Sequence, residues 1–215
     1  EKVIKISVIS ALALTTSITN VSADTLSEAF ANGKIKGEIK SIYSSSNFLG
    51  KSNTDNISTV GGSLGYITSD FYGFSAGATF QASHVIDDRN KNNVFKNDLD
   101  ASGAVLSEAY LNYKLSNTSV KAGRQFIHTP LITSAITGKS SESLVKDSFE
   151  AYLITNSDIP NTTITAGYVD KYQDKTDGKT NIGKFEDFED GAYTLYVKNN
   201  SIENYLIEES FSKMN

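Results

Sequence analysis

Residues 72–83 read Tyr72-Gly73-Phe74-Ser75-Ala76-Gly77-Ala78-Thr79-Phe80-Gln81-Ala82-Ser83 and alternate without a break. Tyr72, Phe74, Ala76, Ala78, Phe80 and Ala82 point one way, and Gly73, Ser75, Gly77, Thr79, Gln81 and Ser83 point the other. On a helix this spacing would scatter the apolar groups around the axis. A period of two puts them on one face of a strand. The expectation is a strand with Phe74, Ala76, Ala78 and Phe80 against an apolar medium and Ser75, Gly77, Thr79 and Gln81 against water.

The same alternation recurs on both sides of this stretch. In Lys34-Ile35-Lys36-Gly37-Glu38-Ile39-Lys40, Ile35, Gly37 and Ile39 share one face, and Lys36, Glu38 and Lys40 share the other. Over 104–115, Val105, Ala109, Leu111 and Tyr113 oppose Glu108, Asn112 and Lys114. Lys36, Glu38, Lys40, Glu108 and Lys114 would be too costly in a small dry core unless paired. They suit a water-filled lumen.

Strands are expected near 33–44, 58–68, 71–84, 104–115, 119–128, 147–156, 162–172 and 189–199. The connections between them alternate long and short, as in a membrane barrel with tight turns at one rim and extended loops at the other. Tyr43, Tyr66, Phe71, Tyr72, Tyr113, Tyr168 and Tyr172 fall near strand ends, where girdle residues would meet the membrane interfaces. The fold class expected is all-β: a transmembrane antiparallel β-barrel with eight or nine strands present.

Residues 1–23 read as a secretory leader. Lys2 and Lys5 precede an apolar run through Leu14, and Val21-Ser22-Ala23 gives the small-residue cleavage pattern. The polar residues from Thr15 leave that run too short for a spanning anchor. Residues 24–33 form a short N-terminal segment, and 34–215 carry the barrel. Within the short segment, Thr25-Leu26-Ser27-Glu28 is a capping-box pattern, and Gly33 stands where a helix would stop.

Composition narrows the function. The chain has no cysteine, which removes disulfides, thiolate metal sites and cysteine nucleophiles. A net charge of −5 argues against a nucleic-acid partner. The hydrophobic fraction of 39% is low for a water-soluble core, and it fits strands with one apolar and one wet face. His84 and His128, the only histidines, belong to no catalytic motif, so no enzyme activity and no cofactor are expected. The acidic run Asp170, Asp174, Asp177, Glu186, Asp187, Glu189 and Asp190 lacks the EF-hand spacing and reads as a solvated extracellular loop, with no metal site. The long connections read as exposed segments without packed structure of their own. The exception is 129–146, whose apolar root Thr129-Pro130-Leu131-Ile132 suits a loop that folds inward.

Taken in order, several segments resemble the OprD-type outer-membrane porin family, in particular its epsilonproteobacterial branch. They are Leu26–Tyr43 (LSEAFANGKIKGEIKSIY), Tyr72–Phe80 (YGFSAGATF), Leu106–Leu131 (LSEAYLNYKLSNTSVKAGRQFIHTPL), Ser148–Tyr172 (SFEAYLITNSDIPNTTITAGYVDKY) and Asp190–Asn199 (DGAYTLYVKN). The resemblance implies a monomeric eighteen-stranded barrel in the bacterial outer membrane, surrounded by lipid and lipopolysaccharide. It implies passive diffusion of small hydrophilic solutes, with the third long loop, 129–146 here, as the constriction. Against that pattern the chain reads as an N-terminal half, and Arg89 and Arg124 are its only arginines, so no arginine ladder is present.

The residues expected to line the pore are Lys36, Glu38, Lys40, Glu108, Lys114, Lys121, Arg124 and Glu150. Arg124 shares a face with Val120, Ala122 and Phe126, so a lumenal Arg124 requires a break in the alternation. Two other readings remain open: a complete eight-stranded barrel with a structural or adhesive role, and a soluble periplasmic β protein with a binding pocket.

Overall fold

The computed structural model describes residues 3–15, 22–48, 54–89, 95, 99, 101–132, 144–177, 180–201 and 207–214. They form one antiparallel sheet of ten strands in sequence order. These are β1 (Val3–Thr15), β2 (Lys34–Phe48), β3 (Thr54–Ile67), β4 (Phe74–Arg89), β5 (Gly103–Leu115), β6 (Thr118–Gln125), β7 (Ser148–Asn156), β8 (Thr162–Gln173), β9 (Phe185–Asn199) and β10 (Ile207–Met214). A single short helix, α1 (Leu26–Ala31), precedes β2. Such an up-and-down order suits strands whose neighbours in sequence are also neighbours in space.

The eight expected strands correspond to β2–β9, with differences in extent: β4 runs on to Arg89 and β6 stops at Gln125, and three further differences follow from the pairing. The first connection is only 49–53, because Ser44↔Ile57 and Asn47↔Thr54 stay paired beyond the expected strand ends. Inward burial of Ile42, Ser44 and Ser46 against Ile57 and Asp55 carries the alternation through that polar stretch. At the other rim, Tyr72 and Gly73 are a turn and not strand. Both have positive φ (50° and 87°), and Phe71 and Phe74 exchange backbone hydrogen bonds around them. Two consecutive positive-φ residues match the twist of a tight hairpin. In β9 pairing begins at Phe185, earlier than expected, because Lys171↔Asp187 resumes the ladder past an irregularity.

The segment expected to be a leader forms β1 against β2, from Val3↔Phe48 to Thr15↔Lys36. A β-branched apolar segment satisfies the backbone groups that the β2 edge would otherwise leave unpaired. Thus β2 neighbours β1 and β3, and β9 neighbours β8 and β10. The strands β2–β9 do not close on each other as the eight-stranded reading requires.

The two faces of the sheet differ as the alternation predicts. Ile35, Ile39, Leu64, Phe74, Phe80, Leu111, Val120, Tyr152, Ile154, Tyr193 and Leu195 lie exposed on one face. Thr79, Gln81, Ser83, Ser107, Glu108 and Gln125 are buried on the other. Among the described residues, the connections pack on this second, inner face. Phe95 and Leu99 from the β4–β5 connection, with Leu144 from the β6–β7 connection, pack on Ile42 and Ile57. Val145 packs with Ala101 and Ile182, which brings three connections together. The described residues of these connections therefore include packed side chains, contrary to expectation. Single apolar residues in polar surroundings anchor them, and each removes a large side chain from water.

Helix α1 forms where the capping pattern placed it. The Glu28 N–H donates to Thr25 Oγ1 at 3.2 Å, and Glu28 Oε2 accepts from the Asp24 N–H at 3.0 Å. The stop is Asn32 and not Gly33, with an ordinary negative φ. Gly33 serves a different need: a Cβ there would collide with the Tyr66 ring.

Candidate functional site

On the inner face the register aligns Lys36, Gly65, Thr79 and Glu108 in one row across β2–β5. Gly65 leaves the space that Lys36 crosses, since a Cβ there would meet both Thr79 Oγ1 and the Lys36 chain. Lys36 Nζ donates to Glu108 Oε2 at 2.7 Å, and Thr79 Oγ1 donates to the same oxygen at 2.6 Å. Lys121 Nζ lies 3.9 Å from Glu108 Oε1 and 3.7 Å from the Tyr110 ring centroid. Gly77, opposite Tyr110, leaves room for that ring. Glu108 is almost fully covered, with 4% of its side chain exposed, whereas Lys36 keeps 40% and Lys121 26%. One carboxylate thus holds two ammonium groups whose outer sides still reach water, an arrangement that offsets the cost of burying it.

A bulge creates this geometry. Register shifts between Thr79 and Phe80, so that Thr79 faces Glu108 while Phe80 faces Leu106. The extra residue, Ser107, turns inward beside Glu108 and is fully buried. A β-bulge re-aims side chains in this way. It also explains why Val105 packs against the inner Ala101, Val145 and Ile182 cluster and does not share the face of Ala109 and Leu111.

Ser107 Oγ accepts from Gln81 Nε2 at 2.7 Å. The same amide grips the β6–β7 connection: Nε2 donates to the Lys146 carbonyl at 3.0 Å, and Oε1 accepts from the Lys146 N–H at 3.0 Å. Sixty-five residues separate these partners. The root of that connection is therefore tied to the inner face of β4. Residues 133–143 lie outside the described residues.

Six of the eight residues expected to line the pore share the inner face. Glu38 and Lys40 are paired at 2.8 Å, and Lys114 stands across from Ser119. Arg124 and Glu150 do not belong to this set. They are register partners 3.4 Å apart on the face of Val120 and Tyr152, because β6 keeps its alternation to Gln125. The row continues through Lys171 to Asp187, which are 2.9 Å apart. One step along the strands lies a row of Tyr152, Tyr168 and Tyr193. A tyrosine row beside an alternating ion row has the composition of a membrane interface. Tyr172 leaves the expected girdle, because the irregularity between Val169 and Lys171 turns it inward, where its ring packs on Phe188. His84 lies on the exposed face of β4, and His128 follows β6.

Gln81, Ser107, Tyr110 and Lys146 were not among the expected site residues. Gln81 was legible as inward-facing, but its partner in a distant connection was not.

Between the connections, Asp147 Oδ1 accepts the Lys175 N–H at 2.8 Å. Burial, with the Asp174 carboxylate beside it, pushes the Asp147 carboxyl up to about 6. A folded-state value above the ordinary one means that protonated Asp147 favours the fold, although the Lys175 N–H opposes the shift, and this stability is lost as pH rises through roughly 4 to 6. Asp147→Asn keeps the acceptor and removes the charge. It should raise the temperature of heat modification at pH 7.5 and leave it nearly unchanged at about pH 3, below the ordinary carboxyl value.

The sequence profile described as Campylobacter major outer membrane protein matches residues 1–208. Among curated proteins, none matches the chain. Two solved structures are similar. The crystal structure of Pseudomonas aeruginosa OccD3 (OpdP) has a TM-score of 0.54 at 17% identity, over 74% of this chain and 36% of that one. The crystal structure of Pseudomonas aeruginosa OccK7 (OpdD) has a TM-score of 0.41 at 12% identity, over 84% of this chain and 44% of that one. The chain therefore spans well under two thirds of either structure's length, and the OccD3 likeness concerns the fold alone.

Proposed function

The chain belongs to the Campylobacter major outer membrane protein family, and from that membership we propose that its inner face lines a water-filled pore for passive diffusion of small hydrophilic solutes. The observation that carries this reading is the Lys36–Glu108–Lys121 cluster on the face opposite a bare apolar one. Ammonium groups that keep access to water need an aqueous space in front of them. Lys36, Glu38, Lys40, Glu108, Lys114 and Lys121 line that space, and Arg124 and Glu150 face the membrane interface with Lys171 and Asp187.

The rim that carries 90–102, 126–147 and 174–184 is extracellular in this reading, since such barrels keep tight turns on the periplasmic side. Lipopolysaccharide then meets the tyrosine and ion rows, and outer-membrane lipid meets the apolar face. The segment 129–146 of the β6–β7 connection acts as the constriction, supported by the hold of Gln81 on Lys146 and by the seat of Leu144 against Ile42 and Ile57. Solute sorting follows from its width and from the charges beside it.

Planar-bilayer recording tests both parts. The native protein should open discrete ohmic channels, and absence of conductance from heat-modifiable protein would sink the pore. Gln81→Ala should raise the conductance and its noise by releasing the Lys146 root. An unchanged trace would remove 129–146 from the conduction path. We also propose that residues 1–23 are removed on export. The intact mass of protein purified from outer membranes should then correspond to a start at Asp24, and a retained β1 segment would refute the cleavage.

A further inference from the structure

Helix α1 lies at the short-turn rim, and the structure gives it an orientation that barrel closure does not require. Its backbone is tied to the strand ends. The Ser69 N–H donates to the Ala29 carbonyl at 2.9 Å, and the Tyr66 hydroxyl donates to the Phe30 carbonyl. Ala29 is the one buried residue of the helix. Leu26 and Phe30, four positions apart and so on one flank, are 60% and 55% exposed. They edge an apolar notch of about 80 Å³ shared with Phe71, Phe74 and Leu111. Phe74 and Leu111 belong to the bare apolar face, which meets lipid in an outer-membrane protein. Asp24, just before the helix, and Ser27 and Glu28 within it are exposed and polar.

We propose that α1 is an interfacial helix whose Leu26–Phe30 flank inserts into the lipid of the periplasmic leaflet and extends the apolar belt of the barrel below its turns. The occupant is phospholipid, argued from continuity: the flank and the lipid-facing residues Phe74 and Leu111 line the same notch. Two large apolar side chains left in water at a membrane rim would forgo the burial that an adjacent acyl layer provides. Tyr72, Phe74 and Tyr113, with the Phe74 and Tyr113 rings 4.5 Å apart, supply the aromatic residues expected at the same depth.

The chain contains no tryptophan, so a single introduced indole reports without background. Leu26→Trp and Phe30→Trp would be compared with Ser27→Trp and Ala31→Trp on the neighbouring exposed flank, about 100° round the helix. Each variant would be folded into phosphatidylcholine bilayers and checked for heat modification. The first pair should emit at shorter wavelength and be quenched several-fold more by lipids brominated near the top of the acyl chain. Emission from the first pair as red and as weakly quenched as from the second would overturn the proposal. Blue-shifted emission that brominated lipid leaves unquenched would overturn it equally, because protein and not lipid would then cover the flank. If Leu26→Trp fails to fold, the aromatic-for-aromatic Phe30→Trp decides alone. Conductance is not part of the readout, so failure of the pore reading leaves this result standing.

Discussion

Phe80→Arg should abolish recovery of heat-modifiable protein from the outer membrane, whereas Ser75→Arg, on the same strand but the opposite face, should leave assembly intact. Phe80 sits between Leu64 and Leu106 in the cross-strand register and is exposed on the bare face. A guanidinium on the lipid side near the bilayer centre costs about 2–4 kcal/mol, and the lost aromatic contact adds to it. Ser75 instead borders a hollow of about 530 Å³ whose lining includes Asn32, Lys34, Asp70, Asn112 and Lys114. That hollow has room for the longer side chain and a carboxylate in reach. Equal yields of the two variants, measured as the heat-shifted band on unboiled gels, would invalidate the assignment of faces.

Glu108→Gln should shift the zero-current potential under a salt gradient in the anion-favouring direction, and Lys36→Gln should shift it the opposite way. The first change strips two lysines of their shared counter-charge, and the second frees the carboxylate from its 2.7 Å partner. Stability should fall as well, because Glu108 is covered and its partners lose their anchor. A dry pair broken on one side costs about 3–5 kcal/mol. The loss here should be smaller, since Lys36 and Lys121 can turn toward water. Conducting channels whose zero-current potential moves in neither variant would show that the cluster lies off the ion path.

Legibility varied along the chain. Strand β4 was readable from Phe74 to Ser83 because an unbroken period-two pattern leaves the chain one way to separate its apolar and polar groups, whereas in β5 the bulge at Ser107 reversed the expected side of Val105. The capping box at Thr25–Glu28 was readable because it is complete within four residues. Arg124 marks the limit. Its parity with Val120 and Ala122 was visible, but whether a bulge would turn it inward depended on the neighbouring strands, and none does. Glu150 went with it, because Arg124 faces it across the ladder. Tyr172 failed for the converse reason: an irregularity after Val169 turns it away from the girdle.

The sequence by itself determined the all-β class, the order of strands β2–β9 and the side of each strand that carries Lys36, Glu38, Lys40, Phe74 and Phe80. Those properties follow from local geometry, since successive side chains of an extended backbone point to opposite sides. Only the tertiary structure decided the bulge that turns Ser107 and Glu108 inward together, the hold of Gln81 on Lys146, and the seating of Phe95, Leu99 and Ile182 under the connections. Each of these depends on groups from distant parts of the chain. The hydrogen bonds and buried area that fix them exist only after the sheet has brought those groups within reach.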